Sequence, residues 1–299
     1  QMKDELRPEE FAKVPSGLRD INISGGEPFL RKDLPQIIAA LRQRCPKARM
    51  VISTNGFLPK RILEMLREIV AIDPDIGLRV SLDGLGEAHD RIRGVPGGFE
   101  KALEVLAMAP GIGVHDLGIG VTLMDGNSEQ VEPLYRWAKE RGLEFSVTVA
   151  TDSPIFFGED KSVDRGDSRD VSQVLRRLAS EEARTRHPKG WVRAWYEGRL
   201  AEYVITGERP LACDAGSGFF YLDSLGTVYG CHVRDLRMGN LREQSWDEIW
   251  DGPEAAKARD ASVGCSDCFM LCTSKSQIAR RLPSVLAETG RDKILAHLE

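Results

Sequence analysis

From residue 18 to residue 149 the chain alternates short apolar runs with longer segments in which apolar residues recur every three or four positions. The short runs predict strands at Ile21–Ser24, Met50–Ser53, Gly77–Asp83, Gly118–Leu123 and Glu144–Val149. The longer segments predict amphipathic helices. Leu34, Ile37, Ile38 and Leu41 form one stripe, and Ile62, Leu66, Ile69 and Val70 a second. Phe99, Leu103 and Leu106 form a third, and Val131, Leu134, Tyr135 and Ala138 a fourth. Strands alternating with helices in this way imply an α/β fold built on a parallel sheet, closed or open.

Most of these strands run into short polar, glycine-rich loops: Ser24-Gly25-Gly26-Glu27-Pro28, Ser53-Thr54-Asn55-Gly56, Ser81-Leu82-Asp83-Gly84 and Asp125-Gly126-Asn127. Ligands of parallel α/β folds bind at this carboxyl edge. Alternation along the third strand puts Leu78, Val80 and Leu82 on one face, so Arg79, Ser81 and Asp83 share the other. In a barrel that second face looks inward. Asp83 reads either as a substrate contact or as a turn acid before Gly84.

The alternation ends after Val149. Residues 151–170 read as a loop rich in Asp, Ser and Gly, followed by helices near 170–186 and 191–205. Trp191, Trp195 and Tyr196 in the second of these read as packing residues. Phe219–Asp223 and Thr227–Gly230 predict a hairpin about Ser224-Leu225-Gly226, and Ser245-Trp246-Asp247-Glu248 has the form of a capping box that starts a short helix. The implied organisation is a barrel over 1–150, a linking loop and helices over 151–207, and a second module over 208–299.

Composition narrows the function. The 299 residues are 41% hydrophobic and 29% charged, enough to bury a sizeable core. A net charge of −5 with interspersed signs argues against a general nucleic-acid binder. No apolar run approaches the roughly 18 residues of a membrane span, and Gln-Met-Lys-Asp-Glu-Leu at the start has no apolar signal core. A cytoplasmic location is therefore expected, where thiols serve metals or chemistry rather than disulfides.

Five of the six cysteines fall in the second module, spaced Cys213-x17-Cys231-x33-Cys265-x2-Cys268-x3-Cys272. A C-x2-C knuckle lets two thiolates converge on one centre, and remote cysteines complete the shell. Spacing alone leaves zinc and an iron–sulfur cluster both open. The predicted hairpin would bring Cys213 and Cys231 together. Cys45, alone beside Pro46, reads as a core residue.

Taken in order, several segments resemble radical S-adenosylmethionine (SAM) enzymes with a C-terminal SPASM or twitch auxiliary-cluster domain. They are Ile23–Arg31 with its Gly-Gly-Glu-Pro loop, Ser53–Gly56, Val80–Gly84 and His89–Arg93. Further on come Cys213, Gly226-x4-Cys231, Gly239-Asn240-Leu241, Trp246–Trp250 and Cys265-x2-Cys268. The resemblance implies a partial (β/α)6 TIM-like barrel lacking its first strand, plus a small α+β iron–sulfur domain. It implies two cofactors in the barrel, SAM and a [4Fe–4S] cluster that binds it, and an auxiliary [4Fe–4S] cluster in the second module. Gly25, Gly26 and Glu27, with Pro28 closing the loop, would meet the methionine amino group. Ser53 and Ser81 would lie near the sulfonium and ribose in loops that include Asn55, Arg93 would pair with the SAM carboxylate, and Val149 would pack near the adenine. Read from their residues alone, Glu27 is a helix-terminal charge before Pro28 and Arg93 a surface ion pair.

The auxiliary cluster would take Cys213, Cys231, Cys265 and Cys268, with Cys272 an alternate or fifth thiol. One cubane needs four thiolates, which favours a twitch-like module over a two-cluster domain. Peptide or small-molecule substrates and a reductant such as flavodoxin or ferredoxin are the implied partners. One departure stands out: the family's C-x3-C-x2-C loop precedes the Gly-Gly-Glu-Pro segment, and no cysteine here precedes Cys45. Lys3–Val14 resembles the stretch that follows that loop. The expectation is a fragment whose first strand and cluster loop lie upstream, inactive as given; a homologue that lost the cluster is the alternative. Two competing functions remain: a non-catalytic peptide-binding module with a structural zinc or iron–sulfur knot, and an unrelated α/β enzyme with a zinc ribbon.

Overall fold

The computed structural model describes residues 4–124, 126–153 and 167–295. Five parallel strands form one curved sheet in the order β1 (Asp20–Ile23), β2 (Arg49–Thr54), β3 (Gly77–Ser81), β4 (Asp116–Leu123) and β5 (Glu144–Val149). The connecting helices are α1 (Leu34–Arg44), α2 (Pro59–Ile72), α3 (Glu87–Arg93) with α4 (Gly98–Ile112), and α5 (Ser128–Glu140). The four predicted stripes supply the buried sides of α1, α2, α4 and α5. Sequential strands pair throughout, which makes a half-barrel, as the partial (β/α)6 expectation requires.

Register fixes which residues share the concave face. Ser53 lies beside Arg79, Ser81 beside Gly120, Gly120 beside Ser146, and Thr122 beside Thr148. The opposite parity, Leu78, Val80, Ile119, Val121, Phe145 and Val147, is buried against the helices. The concave face is therefore polar and lined by small side chains, whereas the convex face is apolar. Toward the amino ends of the strands it is closed by charge. Asp116 bridges Arg49 at 2.5 Å and Arg79 at 2.6 Å, and Glu144 bridges Lys189 at 2.7 Å and also Arg193. Burial pushes the Asp116 carboxyl up, but its hydrogen bond to Arg79 and the charges of Arg79 and Arg49 outweigh this and hold it low. Arg79 is thus committed to the floor rather than to a ligand.

Lys189 and Arg193 belong to α7 (Pro188–Thr206), which pairs with α6 (Ser168–Ala183). The Asp167 carboxylate caps α6 through Arg169 N at 2.7 Å. The aromatics of α7 pack as expected. Trp195 and Tyr196 are buried, Trp195 Nε1 donates to Glu288 at 2.7 Å, and Tyr196 lies against Phe269. Residues 154–166 of the predicted loop, and residue 125 of the fourth glycine-rich loop, lie outside the described residues.

The C-terminal module contains a three-stranded antiparallel sheet: β6 (Tyr221–Leu222), β7 (Thr227–Tyr229) and β8 (Arg237–Asn240). The hairpin was expected; β8 was not, because its Arg-Met-Gly-Asn sequence carries no alternation of apolar residues. Around the sheet lie α8 (Trp246–Trp250), α9 (Pro253–Ser262), α10 (Leu271–Arg280) and α11 (Leu282–Leu295). The capping box forms as predicted: Glu248 N donates to Ser245 Oγ at 3.4 Å and Ser245 N to Glu248 at 2.8 Å.

Module and barrel share one continuous hydrophobic core running from Leu6 to Val285. The amino-terminal segment is the clasp: Leu6 N donates to Ser224 O at 2.6 Å, Lys13 Nζ to Leu241 O at 2.6 Å, and Arg242 binds Glu10 at 2.9 Å. That ion pair holds the Glu10 carboxyl down at about 2. At the other edge Ser153, just past β5, donates to the carbonyl of His232 at 3.1 Å, and Lys275 of α10 pairs with Asp20 of β1. No helix among the described residues is long and apolar enough to cross a membrane.

Candidate functional site

The first candidate centre lies at the carboxyl edge of β1–β4. Gly25 has φ +142°, and a Cβ built on Gly25 or Gly26 would meet nothing within 4 Å, so open space lies over this turn. Glu27 follows, and its carboxylate ties two loops together. Oε1 accepts from Phe29 N at 3.2 Å and Thr54 Oγ1 at 2.9 Å, and Oε2 accepts from Asn55 N at 2.8 Å. The first of these bonds caps the single 3-10 turn Pro28–Leu30, the helix-terminal role its sequence suggested. A carboxylate has about four acceptor sites, so three bonds leave room for one more donor. Asn55 turns its side chain back on its own loop, accepting from Phe57 N at 2.8 Å.

Gly56 completes that loop at φ +76°. A Cβ there would lie 2.9 Å from Ala102 Cα, so both conformation and close approach demand glycine. Ser53 and Ser81 are half-buried on the concave face, where Gly120 and Ser146 continue the small-residue lining. Thr148 Oγ1, on the same face, is buried with no hydrogen-bond partner among the described residues. An orphaned hydroxyl beside a polar trough, and glycines open to it, fit a polar ligand of SAM's kind. Val149 has the other parity, with Phe145 and Val147, and is buried at the strand end rather than sharing the face of Ser53 and Ser81.

Asp83 and Arg93 meet. Asp83, 1% exposed, pairs through Oδ2 with Arg93 Nε at 2.5 Å while its Oδ1 accepts from Thr122 N at 2.9 Å. Asn127 closes the same corner, donating to Thr122 O at 2.8 Å and Asp83 O at 3.2 Å. In this structure the Asp83 carboxylate bonds to the β3–β4 corner and to Arg93. His89, which the sequence offered only as part of a motif, is fully enclosed behind that corner. Its Nδ1 accepts from Asp83 N at 3.2 Å, and its ring lies between Phe57 and Phe99. Burial, then the charge of Arg93, keeps its pKa below the usual histidine range, so the ring is neutral. A buried His is invisible to spacing arguments; only its place two residues before the last turn of α3 hints at an inward face.

The second candidate centre is the cysteine module. Gly216, at φ +71°, lets its N–H reach Gly230 O at 3.1 Å and so brings the Cys213 turn beside Cys231. Cys231 and Cys268 are buried, with Cys213 packed against them. Arg234 ties the Cys231 loop to the knuckle, bridging Asp267 at 3.2 Å. Cys231 Sγ accepts backbone N–H bonds from Val233 at 3.2 Å and Arg234 at 3.5 Å. Burial pushes the Cys268 thiol up to about 12; Arg209 opposes this and Cys231 adds to it. Cys213 is likewise raised by burial, with Cys265 and Cys231 contributing. Thiols near enough to raise one another need a cation to ionise together, and N–H groups aimed at sulfur suit a bound thiolate. Among the described residues no three donor side chains are already drawn into a metal-binding group. Cys272 is exposed on α10, its Sγ 4.0 Å from His232 Nε2. Cys45 is buried and donates to Pro15 O at 3.3 Å, a core role.

Residues 4–138 match the family model of the Radical SAM superfamily, and residues 213–269 match the SPASM iron–sulfur cluster-binding domain. The latter stretch begins at Cys213, ends one residue past Cys268 and leaves out Cys272. AdoMet-dependent heme synthase of Methanosarcina barkeri is 29% identical over 90% of this chain and 78% of its own length. Fe-coproporphyrin III synthase of the same organism is 29% identical over 77% of this chain, and pre-heme d1 synthase of Dinoroseobacter shibae 24% over 81%. The alignments span only 61% and 62% of those two relatives. Among solved structures, anSMEcpe with bound AdoMet superposes with a TM-score of 0.63 over 95% of this chain and 89% of its own, at 16% identity, which speaks to fold. The same protein with a bound Kp18Cys peptide gives 0.62 over 95% and 90%, also at 16% identity. The cofactors that go with the two family models are SAM and [4Fe–4S] clusters. The chain belongs to the radical SAM superfamily and carries a SPASM iron–sulfur cluster-binding domain.

Proposed function

We propose that the protein is a radical SAM oxidoreductase in which Cys213, Cys231, Cys265 and Cys268 hold one auxiliary [4Fe–4S] cluster. The observation that carries this reading is the coincidence of two sites at one edge. The open Gly25–Gly26 turn and the polar concave face lie where β1–β5 end, and Ser153 hooks the Cys231–His232 loop over the same edge. SAM held there, given one electron by the [4Fe–4S] cluster of its own site, would break a sulfonium C–S bond to give methionine and a 5′-deoxyadenosyl group able to take a hydrogen atom from a substrate.

The chain's own residues bind and orient. Glu27 offers its remaining acceptor site to the methionine ammonium while its other bonds hold the β1 and β2 loops in register. Arg93, steadied through Nε by buried Asp83, would pair with the methionine carboxylate. Ser53, Ser81 and Thr148 would offer hydroxyls to the ribose, and Val149, of the opposite parity, would meet the adenine only from the end of β5. The ion pairs of Arg79 with Asp116 and of Arg193 with Glu144 line the amino end of the half-barrel.

Of the two expected substrate classes, a small molecule is favoured over a peptide. Three relatives that align over 77–90% of this chain are named as heme, Fe-coproporphyrin III and pre-heme d1 synthases. The peptide-bound neighbour shares 16% identity. The test is anaerobic reconstitution of the full natural protein with iron and sulfide, followed by SAM and dithionite. Formation of 5′-deoxyadenosine is expected, and Glu27→Gln and Arg93→Ala should each raise KM for SAM. A reconstituted protein that binds SAM but never cleaves it would favour the non-catalytic binding module.

A further inference from the structure

The cysteine module contains a cation, Arg209, whose hydrogen-bond partners among the described residues include no carboxylate. Arg209 lies between α7 and Cys213, and its five N–H donors have five acceptors. Nε donates to Leu211 O at 2.9 Å. Nη1 donates to the carbonyl of Cys268 and, at 3.7 Å, to Cys268 Sγ. Nη2 donates to Thr273 O at 3.1 Å and Ser274 Oγ at 3.2 Å. The Phe269 ring lies 5.6 Å from the guanidinium carbon. A fork held at every donor is fixed in place. Its acceptors are three carbonyls, a hydroxyl and a sulfur, none of them a carboxylate. Its charge is felt by the thiols instead, opposing the upward push of burial at both Cys213 and Cys268.

We propose that Arg209 is a positioning residue that raises the reduction potential of the auxiliary cluster through its N–H···S bond to Cys268 and its charge. This rests on the ligand set proposed above. A cubane held by four thiolates passes from a net charge of −2 to −3 when it takes one electron from an external donor such as dithionite. A fixed cation beside one ligand therefore stabilises the reduced form more than the oxidised form. The two backbone N–H bonds to Cys231 act in the same direction but survive any side-chain change. Arg209 is the side chain whose substitution isolates the effect.

The experiment is an EPR-monitored redox titration of the full protein and its Arg209→Gln variant, with iron and sulfide determined on each sample. The auxiliary signal is the one that does not respond to SAM. The variant is expected to keep its cluster and to shift its midpoint to more negative potential. A tenfold change in the oxidised-to-reduced ratio at fixed potential corresponds to about 59 mV for one electron. An unshifted midpoint at full cluster content overturns the proposal. If the variant loses its cluster, the wild-type protein decides. Grown on arginine labelled with 15N at the guanidino nitrogens, its reduced auxiliary cluster should show 15N hyperfine coupling in pulsed EPR. A reduced cluster without that coupling overturns the proposal, whereas wild-type protein that holds no auxiliary cluster overturns the ligand assignment itself.

Discussion

Asp83 and Arg93 form an ion pair of 2.5 Å in which the acid is 1% exposed and the base, at the end of α3, 29% exposed. The pair aims a guanidinium from a buried anchor. Removing Arg93 leaves the Asp83 carboxylate enclosed and uncompensated, with only Thr122 N still bonded to it. Arg93→Ala should therefore cost about 3 kcal/mol of stability, read as a lowered denaturation midpoint. Arg93→Ala combined with Asp83→Ala should recover part of that loss without restoring SAM affinity. A fully additive double variant would count against the pair.

The two glycine loops should respond in opposite ways to alanine. Gly26 has room for a Cβ, so Gly26→Ala should stay within about 0.5 kcal/mol of the parent in stability and still weaken SAM binding. Gly56 combines positive φ with a Cβ position 2.9 Å from Ala102 Cα, so Gly56→Ala should lose about 2 kcal/mol or more. Urea denaturation alongside calorimetric SAM titration separates the two effects. Equal loss of stability in both would contradict the open turn.

These loops also show what can be read from sequence. The strand–helix rhythm and the polar parity of Arg79 and Ser81 are written in residue spacing, and the structure bears them out; Asp83 lies past the end of β3 and is buried. What a side chain on that face does is not written there. Arg79 and Asp83 share a parity, yet one belongs to the ionic floor and the other to a buried corner, because Asp116 and Arg93 come from distant segments. The same holds for β8, whose pairing with β7 is imposed by the module rather than by its own apolar pattern. His89 and Arg209 were missed for a related reason: their partners are backbone atoms, a hydroxyl and a sulfur, which leave no periodic trace.

His89 gives the fold a pH dependence. Its folded pKa lies below the ordinary 6.5, so below that pH the unfolded chain binds a proton that the fold refuses. Stability should be flat in this respect above about pH 6.5 and fall as pH drops below it, by up to about 1.4 kcal/mol per pH unit for each such group. Melting temperatures from pH 7.5 to 5 should therefore fall less steeply in His89→Gln. An unchanged slope would mean that His89 is free to charge in the fold.

The cysteines carry the central claim, and serine substitution one at a time tests it most directly. Iron and acid-labile sulfide, with Mössbauer spectra, should show that Cys213→Ser, Cys231→Ser, Cys265→Ser and Cys268→Ser each lose or degrade one [4Fe–4S] cluster. Cys272→Ser, on the exposed side of α10 and outside the matched domain, should retain it. Loss of the cluster in Cys272→Ser, with retention in any of the other four, or stoichiometric zinc in place of iron, would contradict the account.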